Sequence, residues 1–120
     1  MSGYKELKIY EKSYRAAKAV YDKTKKFPRE EIYGITSQLR RAALSIPLNI
    51  SEGYAKRESQ AEYKRYLMMA IGSSNEIGVL IDFSRDIGYI DNREYKELSE
   101  AYEEIAKMLK GYVKAINTKL

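Results

Sequence analysis

The sequence predicts an all-α fold: an antiparallel, up-down-up-down four-helix bundle with a kinked second helix, forming one domain over residues 1–120. Three observations carry this expectation. Apolar residues recur three and four positions apart in four separate stretches, which is the period of a helix that buries one face. No stretch alternates apolar and polar residues as a half-buried strand does. The connections, at Phe27-Pro28, after Gly53 and from Gly88 to Asp91, are short enough that successive helices must lie side by side.

In the first helix, Lys5 to Lys26, the spacing places Leu7, Tyr10, Tyr14, Ala17, Tyr21 and Thr24 on one face with lysines opposite. Proline disfavours a helical conformation in the residue before it, so Phe27-Pro28 ends this helix. Arg29-Glu30-Glu31 then sets acid at the start of the next, where the helix dipole favours it. The second stripe is Ile32, Ile35, Leu39, Ala42, Ala43, Ile46 and Ile50, closing near Gly53. Pro47 lies inside it. An interior proline costs about 3 kcal/mol and forfeits the bond to the carbonyl four residues back, here Ala43, so a kink or break is expected near Ser45-Ile46.

Ser59 and Glu62 have the spacing of a capping box for the third helix, whose stripe is Tyr63, Tyr66, Leu67, Ala70, Ser74, Ile77, Leu80, Ile81 and Ile87. Gly88 stops it. Asp91 and Glu94 repeat the capping spacing, and Tyr95, Leu98, Tyr102, Ile105, Leu109, Tyr112 and Ile116 carry the fourth helix. That helix begins acidic and ends with Lys107, Lys110, Lys114 and Lys119, complementing its dipole.

The chain has no cysteine and no histidine. This removes disulfides, thiolate metal sites, the commonest general base and the commonest transition-metal ligand, so no cofactor and no small-molecule substrate are expected. Glu52 and Glu76 are the best acidic pair for a hydrolytic reading. No nucleophile or oxyanion arrangement accompanies them, and a di-metal carboxylate bundle would need histidines; the expectation is a protein that is not an enzyme. No apolar run approaches the roughly 20 residues of a membrane helix, and Met1-Ser2-Gly3-Tyr4-Lys5-Glu6 lacks a signal-peptide core, so no membrane partner and a cytoplasmic location are expected. The net charge of +5 is uneven: residues 1–57 hold 13 basic and 6 acidic groups, residues 58–120 hold 9 and 11. That asymmetry suits a basic surface for nucleic acid, and equally suits subunits docking basic face to acidic face.

The stretch Ser37 to Gly53, SQLRRAALSIPLNISEG, resembles a signature of the bacterial four-helix-bundle family named after proteins encoded within intervening sequences of 23S ribosomal RNA genes. Phe27-Pro28, Glu31 and Tyr33 fit the lead-in, and Ala70, Gly72, Ser73 and Glu76 fit the third-helix pattern. Ser51 stands where the family commonly has alanine, and Ile71 where it often has a base. The resemblance implies a homo-oligomeric ring, a pentamer, and extends to accessory proteins of diversity-generating retroelements that bind nucleic acid and a reverse transcriptase.

Three groups of residues are candidates for function. Arg40 and Arg41, with Lys56 and Arg57 beyond the glycine, form a concentrated basic signal that fits either phosphate binding or a solvated face. Lys12 and Arg15 belong to the lysine-rich first helix, interleaved with Tyr10, Tyr14 and Tyr21; stacking on bases is one role for these tyrosines, but their apolar positions assign them to the core. Gln38, Ser45, Asn49 and Glu52, with Ser73 and Glu76, form the motif's polar set, read as a register-fixing network or as a ligand site. The expected partners are the chain itself and RNA or a nucleoprotein.

Overall fold

The computed structural model describes residues 3–119, with the side chain of Lys119 excluded; the N-terminal Met1-Ser2 and the Lys119 side chain of the charge gradient lie outside it. Four helices run in chain order: α1 Lys8–Thr24, α2 Ile35–Ala55, α3 Gln60–Asp86 and α4 Asn92–Lys119. No strand occurs among the described residues. Each helix packs on its chain neighbours, α1 closes against α4, and the backbones of the diagonal pairs stay apart across the shared core, which is the square cross-section of an up-down-up-down bundle.

The core is built from small and branched side chains. Ile9, Ala16, Ala17 and Val20 of α1, Leu39, Ala43, Ile46 and Ile50 of α2, Leu67, Ala70, Ile77 and Ile81 of α3 and Leu98, Tyr102, Ile105 and Leu109 of α4 belong to one buried cluster. In α1 this differs from the expected register. Tyr14 is 48% exposed and Tyr21 37%, while Ser13, Ala16 and Val20 occupy the interior. The small residues leave the interior side of α1 flat, and Tyr14 and Tyr21 lie at its exposed edge.

The helix ends follow local chemistry. A 3-10 turn over Tyr4–Glu6 and an extended Leu7 precede α1, so the helix starts three residues later than the spacing suggests. Helix α2 starts at Ile35 rather than Ile32, because a second 3-10 turn over Arg29–Glu31 brings the Glu31 carboxylate within 3.4 Å of the Ile35 N–H. Its other oxygen accepts the Tyr89 hydroxyl at 2.7 Å, tying the first loop to the third. Ile32 is therefore exposed, outside the core stripe. Of the two outcomes expected at Pro47, a kink or a break, the break does not occur: α2 runs as one helix to Ala55 with the proline buried inside it. Pro47 withholds a donor from Ala43, but one turn on the Asn49 side chain adds a donor to the Ser45 carbonyl at 2.8 Å.

Ser59 caps α3 by accepting the Glu62 N–H at 3.2 Å, whereas the Glu62 carboxylate turns to Arg65 and leaves the box half formed. Asp91 and Glu94 complete theirs reciprocally: the Glu94 N–H reaches the Asp91 carboxylate at 2.8 Å and the Asp91 N–H reaches the Glu94 carboxylate at 3.0 Å. Between them Gly88, at φ +81, closes α3 in a left-handed cap, with the Tyr89 N–H on the Ser84 carbonyl at 2.8 Å.

Charge closes the last seam. Lys12 meets Glu104 at 2.9 Å, Lys23 meets Glu97 at 3.0 Å, and Lys26 pairs with Glu94. Hydrogen bonds from Lys26 and Lys23 hold the Glu94 and Glu97 carboxyls below the usual glutamate range.

Candidate functional site

Consecutive residues on a helix point about 100° apart, and Arg40 and Arg41 separate accordingly. Arg40 lies over α1: its Nε donates to Thr24 Oγ1 at 2.9 Å, its Nη2 to the Tyr21 carbonyl at 3.5 Å, and its guanidinium sits 4.7 Å from the Tyr21 ring centre. Every one of these partners is neutral. Arg41 instead borders α3, where it lines a groove of about 360 Å³ with Gln38, Ala42, Ser45, Ser73 and Glu76.

That groove holds most of the motif's polar set. Ser45 and Ser73 share a hydroxyl–hydroxyl bond of 2.8 Å across α2 and α3, and Asn49 donates to the Ser45 hydroxyl at 3.0 Å. The contact pins the register of the two helices. Glu52 stays apart, exposed and paired with Lys56 at 3.7 Å on its own helix. Relative to the Ser45–Ser73 contact, Glu52 lies seven residues along α2 and Glu76 three along antiparallel α3, which separates them by about 15 Å of helix rise. The glutamate pair needed for hydrolysis is not assembled, nor does Pro47 bring Glu52 to Arg41.

Lys56 and Arg57 form a third location beyond α2. Lys56 donates to the Tyr66 hydroxyl at 3.3 Å, a bond that raises the ammonium pKa. Arg57 stacks 4.0 Å from the Tyr54 ring and donates to the Tyr54 carbonyl at 2.8 Å. The four bases thus divide among three surfaces rather than forming one patch. Lys12 is paired with Glu104, and Arg15 with Glu11 at 3.0 Å, so both are partly neutralised along the α1–α4 groove.

Spacing alone missed a row on the other edge of α1. Tyr14, Lys18, Tyr21 and Lys25 recur at four, three and four residues, one stripe along the α2 side with all four side chains exposed. Tyr10 extends it, stacked on Tyr14 with ring centres 5.8 Å apart, and Tyr4 meets Tyr10 edge-on at 4.9 Å. Among the described residues Lys18 has no carboxylate partner, and Lys25 reaches Asp22 only at 4.0 Å. The signal was in the sequence, but assigning these tyrosines to the core hid it. On α2 and α3, Leu44, Leu48, Met68, Met69, Val79 and Phe83 are also exposed.

No group of three or more metal-binding carboxylates occurs among the described residues, and no described helix is long and apolar enough to cross a membrane. Fold and motif helix together define an all-α bundle whose distinguishing residues lie between α2 and α3. Residues 5–111 match the family of the 23S rRNA-intervening sequence protein, and the chain belongs to that family. Among solved structures it is similar to a protein of unknown function from Bacteroides thetaiotaomicron, of the S23 ribosomal protein family, at 23% identity and a TM-score of 0.78, covering 88% of this chain and 98% of that one. That likeness establishes the fold. No curated protein matches the chain.

Proposed function

We propose that the protein is a homo-oligomeric binding module, a pentameric ring, that engages RNA or a nucleoprotein through its basic α1–α2 surface and does no catalysis. The observation that carries this is a division of labour between faces. Lys12, Lys23 and Lys26 are spent on carboxylates of α4, whereas Arg40 on the α2 side meets only neutral groups and Lys18 is exposed, which leaves their charge available to phosphates. The apolar α2–α3 face, with its small-residue Gly72 and polar groove, has the composition of a surface covered by another subunit. The ribosomal-protein label of the structural neighbour fits this reading.

Two charge reversals separate the two functions. Arg40→Glu is expected to lower affinity for a structured RNA hairpin about tenfold at low salt with native mass unchanged. Arg41→Glu, set in the groove, is expected to lower the native mass by light scattering. Wild-type binding should weaken as salt rises; absence of binding at low salt, or binding indifferent to salt, overturns the RNA reading. If both reversals alter mass and neither alters RNA affinity, the chain is an assembly scaffold whose charge serves docking.

A further inference from the structure

Building on that RNA reading, we infer that the α1–α2 seam is a stacking platform for single-stranded RNA, with unpaired bases resting on Tyr14 and Tyr21 and phosphates on Lys18, Lys25 and Arg40. Along α1 the row alternates aromatic and cation: Tyr14, Lys18, Tyr21, Lys25. That order matches the alternation of base and phosphate along a strand, and aromatic faces accept any base. A merely solvated helix face has no need of half-exposed tyrosines, and the core is already filled by Ile9, Ser13, Ala16 and Val20.

The platform is prepared before any ligand arrives. Tyr4, Tyr10 and Tyr14 already form an aromatic run that a base would lengthen at its exposed end. Arg40 is fixed over Tyr21 by Thr24, so the cation is placed without a carboxylate to compete for it. Charge complementarity then selects a polyanion, and the spacing selects its form. Tyr14 and Tyr21 stand two helical turns apart, about 10.5 Å, or roughly three times the ~3.4 Å rise per base of a stacked strand. Bases on both rings cannot belong to a continuous stack as neighbours, so the strand must be open. Paired bases in a duplex present no free face.

The test is fluorescence anisotropy with a short labelled oligouridylate and, separately, a blunt RNA duplex of equal length, on the full chain. The single strand is expected to bind more tightly than the duplex. The pair Tyr14→Ala with Tyr21→Ala should lose about tenfold or more in single-strand affinity, and Tyr14→Phe with Tyr21→Phe should retain it, because the ring rather than the hydroxyl carries stacking. The phenylalanine pair also controls for folding, since it keeps the packing along the seam. Equal binding of duplex and single strand, with the alanine pair unaffected and Arg40→Glu still weakened, overturns the stacking platform while the RNA reading stands. Loss of binding to every RNA in the wild type removes both.

Discussion

Gly53 lies on α2 pressed against Tyr63 and Tyr66 of α3. A methyl group there would sit 2.9 Å from the Tyr66 Cβ, 3.1 Å from the Tyr63 ring and 3.3 Å from the Tyr63 carbonyl. A Cβ and a backbone carbonyl cannot swing aside, so Gly53→Ala should force the helices apart and destabilise the fold by about 1–3 kcal/mol, outweighing a helix-propensity gain of under about 1 kcal/mol. Gly72 is the converse: a Cβ there meets nothing within 4 Å. Gly72→Ala should therefore raise stability by about 0.5–1 kcal/mol in the isolated subunit. Urea titrations of the two variants, read beside their native masses, give opposite signs if the packing is as described. A loss of mass in Gly72→Ala would place this glycine in a subunit contact.

At the scale of elements, the capping box at Asp91 and Glu94 joins α4 to the α1 seam, because Glu94 also holds Lys26. The sign of its pH dependence follows from the shifts. Asp91, Glu94 and Glu97 have carboxyl pKa values lowered in the fold, Asp91 chiefly by the Glu94 N–H and the glutamates chiefly by Lys26 and Lys23. Their contribution is complete above the unfolded values of 3.8 and 4.5, and is lost as pH falls through the lower folded ones. The thermal midpoint should drop as pH is taken from 5 toward 3, and Lys26→Ala with Lys23→Ala should flatten that drop. Pro47→Ala, which returns a donor to the Ala43 carbonyl, should raise the midpoint at neutral pH. The gain should be less than the about 3 kcal/mol an interior proline costs, since the buried ring also packs.

The sequence made most of these elements legible. The existence of four helices, the caps at Ser59 and Asp91 and the stop at Gly88 all have side-chain or glycine signatures, although Ile32 and Ile87, expected in the stripes of α2 and α3, are exposed beyond the ends of those helices. The α1 register was legible only in part: Ala17 and Thr24 are buried as the spacing predicts, but hydrophobic weight also pointed to Tyr14 and Tyr21 where close packing rewards the small Ser13 and Ala16. At Pro47 the spacing left a kink and a break both open, because whether a proline breaks a helix depends on the neighbours that hold its flanks; α2 stays one helix. Residues 37–53 announced a special segment, but the division of Arg40 from Arg41 needed the orientation of the bundle.

For the molecule as a whole, three of the four sides of the bundle are unlike one another: a seam of ion pairs between α1 and α4, an aromatic and cationic seam between α1 and α2, and a mixed apolar and polar face across α2 and α3. The first has a bearing on how the chain reaches and leaves this shape. Lys26 and Glu94 stand 68 residues apart, so their seam joins the first helix to the last and cannot form until the intervening chain has been gathered. It is also the least extensive of the four helix contacts and the one with the most charge across it. Closure should come late in folding and opening early in unfolding. Raising salt should then quicken unfolding while leaving the refolding rate nearly unchanged, a one-armed shift of the chevron that stopped-flow mixing would register.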